Sequence, residues 1–468
     1  MQESKRFLDV PEDPFIMPAE LAALICILFI LYLFWLDMKE DDGNSITLWI
    51  PMVWMFLAGS RYISQWFDLG GGISSFQMYQ EGSLVDSTIF ATLIMFGATI
   101  LYQRGLDWRQ LLVRNKWLCF YFLFCAMSIL WSDDSLVSLK RWIKALGDVI
   151  MALVILTEER PYEAIGTLLR RLAFVILPLS ALFIRFYPDL GRAYHMAAPM
   201  YIGAATSKNS LGQICLISGI CFSWSLIFQW REEIERGGVP RVAVSLLFLL
   251  LVAWLFYMAD SATSLTCWLV VLGLFLAGRV PALANRPRVF VASAAIAVAL
   301  LGVLEYTFDI SDAIIAGLGR SKDLTTRVPM WEMLLSLDTN PLIGVGYENF
   351  WSGERVNAIW RMYPGIIQAH NGYVDLFLNL GLVGLLLIAT NILVGIANVF
   401  RKLESDYAVA LLQLAFIVTV VLNNWTEASI KPISNMFVIL LFGIMDVSGQ
   451  ESLEEGGADP VDQDYERE

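Results

Sequence analysis

Two histidines, a few acids and a scatter of basic residues are the groups in this sequence with chemistry to offer. His370 stands in "IIQAHNGYVDLFLNLGLVGLL", at the mouth of a long apolar run. Imidazole changes charge near neutral pH and is the commonest general base. At a helix N-terminus it meets the positive end of the helix dipole, which favours the neutral form that accepts a proton. Asp375 lies further along the same run, placed to orient the ring or receive its charge. Glu427, in "NNWTEASIKP", is a lone acid in a turn, suited to pairing with a cation. His195, beside Arg192 in "FYPDLGRAYH", reads more simply as an interfacial residue.

The cations of interest are Lys140, Arg141, Lys144, Arg185, Arg192, Lys208, Arg320, Lys322 and Arg327. Lys140 and Lys144 are four apart and share a helix face. Ionisable groups at or inside a membrane are costly unless paired, which makes them functional candidates. The plainer alternatives are ion pairing, for which Asp148 stands four residues past Lys144, and snorkelling to lipid headgroups. A multivalent anion accounts better for the set as a whole. Arginine offers a planar fork matched to phosphate oxygens, and lysine a point charge. A lipid diphosphate is the natural polyanion at that depth.

The elements that must position these groups are membrane helices. The chain of 468 residues is 57% hydrophobic and 16% charged, against about 25% charged in soluble domains. Apolar segments fall near 18–36, 46–63, 86–102, 117–131, 138–157, 172–187, 209–229, 242–258, 264–278, 289–307, 372–398, 408–423 and 432–446. A spanning helix needs about 20 such residues. Alternating strands of a membrane barrel are absent. The expected fold is an all-α polytopic membrane protein with about 12–13 transmembrane helices. The basic loops 103–116, 158–171, 231–241, 278–288 and 401–404 are each separated from the next by two spans. All five can therefore be cytoplasmic together. The cations named above then face the opposite side, and parity puts the N-terminus there too.

The net charge of −13 owes much to the polar C-terminal tail, 448–468, which reads as disordered and cytoplasmic. It is no signal for a nucleic-acid partner. The N-terminal stretch lacks a cleavable signal pattern. The six cysteines lie in apolar runs without metal spacing and read as small core residues. Residues 308–371 are too long and too aromatic for a passive linker. Met330, Met333, Leu334 and Leu337 recur at helical spacing, and Gly344 and Gly346 mark turns. The expected organisation is a transmembrane bundle over 1–307, a large outer loop of short helices over 308–371, C-terminal helices over 372–447, and the tail.

The blocks "RYISQW", "NKWLCFYFLFCAMSILWSDDSLVSLKRWIKALGD", "PLSALFIRFYPDLGRAY", "TSKNSLGQICL", "TTRVPMWEMLL", "NPLIGVGYENFW" and "HNGYVDLFLNLGLVG" occur in this order. Together they resemble the O-antigen ligase-like superfamily, within it the exopolysaccharide-production branch that includes the succinoglycan polymerase type. The resemblance spans most of residues 45–445. It implies a GT-C-like helical fold with one large periplasmic loop, in the bacterial inner membrane. It also implies a glycosyltransferase that takes glycan from an undecaprenyl-diphosphate carrier. The acceptor is lipid A–core oligosaccharide for ligases and another repeat unit for polymerases. No nucleotide sugar, metal or other cofactor is implied. Carried over by motif, Arg192, Lys208 and Arg327 become diphosphate ligands and His370 the base. Many relatives have Gly where Thr326 precedes Arg327 here.

Asn209 beside Lys208, Arg185, Glu427 and Asp375 complete the expected substrate-binding set, and Lys140, Arg141 and Lys144 join it on charge alone. Membrane lipids and proteins of chain-length control or export are the further expected partners. Two readings from other classes stay open: a transporter of lipid-linked glycan, and a non-catalytic component of an export complex. No internal repeat of the transporter kind is evident, and cations gathered on one side suit one-sided chemistry better.

Overall fold

The computed structural model describes residues 17–39, 46–67, 83–195, 198–230, 234, 239–308 and 327–448. The tail, Arg320, Lys322 and most of the basic loop 231–241 lie outside them. Each of the thirteen apolar segments is helical. They are α1 (Ala19–Lys39), α2 (Trp49–Gly59), α3 (Leu84–Gln103), α4 (Lys116–Ser128), α5 (Ser135–Leu156), α6 (Pro161–Phe186), α7 (Lys208–Trp224), α8 (Val239–Ala259), α9 (Ala262–Gly278), α10 (Pro287–Phe308), α11 (Gly372–Lys402), α12 (Tyr407–Asn423) and α13 (Asn435–Ile444). Among the described residues, six helical stretches are long and apolar enough to cross a membrane, seven if the bent pair Trp108–Arg114 and Lys116–Trp131 counts as one. The chain is an all-α polytopic membrane protein; its strands among the described residues are one hairpin, β1 (Arg192–His195) against β2 (Ala198–Tyr201).

The basic loops share one face, as their spacing requires. Arg104 pairs with Glu158. Arg114 and Arg401 both reach Asp446, at 3.6 and 3.0 Å. Lys402 donates to the Tyr162 hydroxyl. Tyr407 donates to the Gly278 carbonyl at 3.0 Å, and Arg288 pairs with Glu404 at 2.6 Å. Four of the five loops are thus tied together, and the fifth falls largely outside the described residues. The first ends of α1, α7, α9, α11 and α13 lie at the opposite end; Tyr187, after α6, donates to the Ala19 carbonyl of α1 there.

Helix ends explain several departures from the sequence reading. Pro161 starts α6 early, since proline suits the first helical turn. Arg170 and Arg171, expected in a loop, therefore lie within α6, where both grip the buried Asp37 of α1. Asp148 does not neutralise Lys144. It lies at the centre of the bundle and accepts from the Trp54 indole at 2.8 Å and the Ile433 amide at 2.9 Å. All ten residues of α13 are buried, making this short helix the core around which α5, α11 and α12 pack.

Candidate active site

The helix that follows His370 is broken. Gly381 has φ +63°, a left-handed conformation inside α11. The loop 340–346 docks into the break. The amides of Leu382 and Val383 donate to the carbonyls of Pro341 and Leu342, at 2.9 and 3.1 Å. In return, Val345 and Gly346 donate to Leu378 and Asn379, at 3.2 and 2.9 Å. These bonds replace the helical ones lost at the break, so the backbone polar groups stay satisfied. The Asn379 side chain adds an acceptor for the Phe350 amide at 2.9 Å. Residues 372–380 are thereby a half-helix fixed to the loop 340–346.

His370 sits just before that half-helix. Its φ of +51° is left-handed, a strained state for a residue with a Cβ. The surroundings hold it there. Trp331 donates its indole N–H to the Ala369 carbonyl at 2.7 Å. Arg327 Nη1 donates to the carbonyls of His370, at 3.5 Å, and Thr426, at 3.2 Å. The Gly372 amide donates to the Asn424 carbonyl at 2.7 Å. Asn371 caps the half-helix by accepting from Tyr373 and Val374. Asp375 does not meet the imidazole. Its buried carboxylate accepts from the Trp351 indole at 2.8 Å and from the Ala369 amide at 3.1 Å, and so anchors the residue before His370.

The ring itself faces Glu427. His370 Nδ1 lies 3.6 Å from Glu427 Oε1, with the histidine side chain 32% exposed and the glutamate side chain 10%. Gln368 Nε2 lies 3.3 Å from the same ring nitrogen and 3.3 Å from Glu427 Oε2. Asn209 Nδ2, one residue into α7, donates to Glu427 Oε1 at 2.5 Å. The adjacent Thr426 bonds to Thr263 at the start of α9, at 3.0 Å. The first turns of α7, α9 and α11 thus converge on one turn, 423–429, with Lys208 as the first residue of α7. Converging helix N-termini and cations favour an anion.

The remaining candidates lie elsewhere. Arg192 donates through Nε and Nη2 to the Ile184 carbonyl at 3.2 and 3.0 Å and stacks 5.4 Å from the Tyr201 ring. It closes the C-terminal end of α6, a place that suits a cation, and no contact links it to His370. Arg185 is exposed in the last turn of α6. Arg141 holds the carbonyl of Glu348, another left-handed residue at φ +53°. Burial raises the Glu348 carboxyl above the ordinary range, against the opposing charges of Arg141 and Lys431. Lys140 is exposed and Lys144 half-buried on α5 beside this second group. The sequence reading missed Gln368, Thr426, Trp331 and Glu348, whose roles depend on partners far along the chain. Among the described residues no cluster of three or more His, Cys, Asp or Glu is placed to hold a metal ion.

Residues 246–389 match the O-antigen ligase family model. That stretch runs from within α8 to just past the break in α11, and includes Arg327 and His370 but not Lys208 or Glu427. Over these residues the chain is similar to the O-antigen ligase family, and the helical membrane fold accords with that likeness. It is similar to the exopolysaccharide production protein ExoQ of Rhizobium meliloti (strain 1021), with 28% identity over 343 residues, covering 68% of this chain and 75% of that protein. The family points to ligase- or polymerase-like handling of lipid-linked glycan by a multi-pass membrane protein.

Proposed function

We propose that the chain is a GT-C-like glycosyltransferase that moves an undecaprenyl-diphosphate-linked glycan at the periplasmic face of the bacterial inner membrane. The observation that carries this reading is the meeting of His370, Glu427, Asn209 and Arg327 at the convergent first turns of α7, α9 and α11. Its depth suits a lipid headgroup. The stretch Leu382–Lys402 beyond the break is about 30 Å long at 1.5 Å per residue, which matches the apolar layer alone. The break at Gly381 then stands at the boundary, and the half-helix 372–380 with His370 lies beyond it.

In the reaction, the acceptor hydroxyl gives its proton to His370 as its oxygen bonds to the anomeric carbon. The bond from that carbon to the diphosphate oxygen breaks, and the electron pair leaves with the diphosphate. Lys208, the Arg327 donors not used for backbone, and the helix N-termini stabilise the growing charge, usually the largest catalytic term. The carrier already activates the sugar, so the step as written uses only protein groups. Of the two acceptors, the role of the relative in exopolysaccharide production supports another repeat unit over lipid A–core. Proteins of chain-length control or export are the partners such a polymerase would use.

Glycan analysis in a deletion strain tests this. Single repeats accumulating on the carrier support a polymerase. Polymer on the carrier but missing from lipid A supports a ligase. Normal glycan in the deletion strain would sink both.

A further inference from the structure

We infer that Glu427 is the positioning residue of the base: its carboxylate holds the Nδ1 side of His370, so the acceptor proton is taken at Nε2. The inference rests on the proposed role of His370 as base.

An imidazole that accepts a proton at one nitrogen must carry a proton on the other, and a carboxylate beside that other nitrogen fixes the tautomer and stabilises the cation formed. Two carboxylates lie near His370, and their surroundings assign them differently. Asp375 is closed off by one indole and a backbone amide. Glu427 lies 3.6 Å from Nδ1, an ion-pair separation, and separations of this kind tighten when substrate is bound. Its two oxygens are held by neutral amides, Oε1 by Asn209 and Oε2 by Gln368. No arginine or lysine pairs with it among the described residues, contrary to the sequence expectation. A carboxylate held by amides keeps its full charge for the imidazolium, whereas one paired with arginine would not. Arg327 is a further charged neighbour, its guanidinium bonding to the backbone carbonyls of His370 and Thr426. Gln368 Nε2 also lies 3.3 Å from Nδ1 and 3.3 Å from Glu427 Oε2; as a donor it must serve Glu427 alone once Nδ1 carries a proton, and the ring Nε2 is then the nitrogen that meets the acceptor hydroxyl. It takes that proton, Nδ1–H stays on Glu427, and the proton returns to solvent after the diphosphate leaves.

The test uses the full-length protein in proteoliposomes, with the lipid-linked oligosaccharide extracted from the deletion strain as substrate. Glu427→Gln should lower the transfer rate by about 10²-fold or more, within the size of a general-base term. The acid limb of its rate–pH profile should move to lower pH, because the imidazolium has lost its counter-charge. Glu427→Asp keeps the charge and should keep the limb near its original place, even with a lower rate. A Glu427→Gln protein with an unchanged rate, or a slow one with an unmoved limb, would overturn the inference. His370→Ala separates the two claims. If it retains the rate and the limb, the base assignment fails and takes this inference with it. If it abolishes transfer while Glu427→Gln leaves the limb in place, the role of Glu427 alone fails.

Discussion

Gly344 and Gly381 interlock: a Cβ on Gly344 would stand 2.2 Å from the Asn379 carbonyl oxygen, and one on Gly381 would stand 2.3 Å from the Leu342 carbonyl carbon. Both residues are left-handed, at φ +64° and +63°. Backbone meets backbone, so neither neighbour can swing aside as a side chain would. The loop and the half-helix that carries the approach to His370 therefore behave as one piece.

Gly381→Ala and Gly344→Ala should each destabilise the protein by at least about 1–3 kcal/mol, the cost of a strained backbone residue. They should also reduce transfer, because the half-helix loses its anchor. Thermal unfolding in detergent and the transfer assay check this. A variant as stable and as active as the parent would mean that the interlock is dispensable.

Arg327→Lys should lower transfer by about 10²–10³-fold, the size of a lost transition-state donor. Lysine keeps the charge but cannot span two carbonyls with one planar group. Rates near the parent value would show that charge alone suffices at this position.

Asp375→Asn should behave unlike Glu427→Gln. It leaves the buried Ala369 amide with a weaker partner, at a cost of about 1–3 kcal/mol in stability. The acid limb of its residual activity should stay where it was. Rate–pH profiles of the two variants, measured side by side, make the comparison.

Lys208→Gln should weaken use of the lipid-linked donor, read as a higher KM or a lower kcat/KM. Lys140→Gln, on the exposed face of α5, should leave both within about threefold, as most surface changes do. Equal losses in the two variants would return the α5 cations to the diphosphate site.

Glu348 yields a prediction in pH. Its carboxyl is raised by burial, so between the ordinary carboxylate range and the raised value the folded state holds more protons than the unfolded one. Stability then falls as pH rises through that window. Glu348→Gln should therefore raise the melting temperature at neutral pH, and the gain should vanish in acid, where the parent is also uncharged. A constant difference at all pH values would contradict the assignment.

The sequence discloses what is encoded locally. Apolar run length and the alternation of basic loops located thirteen helices and the face shared by Arg104, Arg114, Arg401 and Lys402. It misleads where nearness along the chain stands in for contact. Asp148 is one helical turn from Lys144, yet Trp54 and Ile433, from distant segments, take its oxygens. Asp375 follows His370 by five residues, yet the carboxylate at the ring comes from Glu427, between α12 and α13. The break at Gly381 was hidden because apolar composition runs straight through it. Its one local trace is the pair of glycine-bearing runs "NPLIGVG" and "NLGLVG", which acquire meaning only when placed against each other.

The break in α11 also separates two mechanical demands. The long half from Leu382 to Lys402 must match the local bilayer, and helices meet a thickness mismatch chiefly by tilting. A continuous rod would pass that tilt to His370. The break at Gly381 interrupts that rod, and the loop bonded on both of its sides, to Leu378 and Asn379 and to Leu382 and Val383, holds the imidazole in its place beside Glu427. Transfer should accordingly vary little between proteoliposomes of short-chain and long-chain lipid.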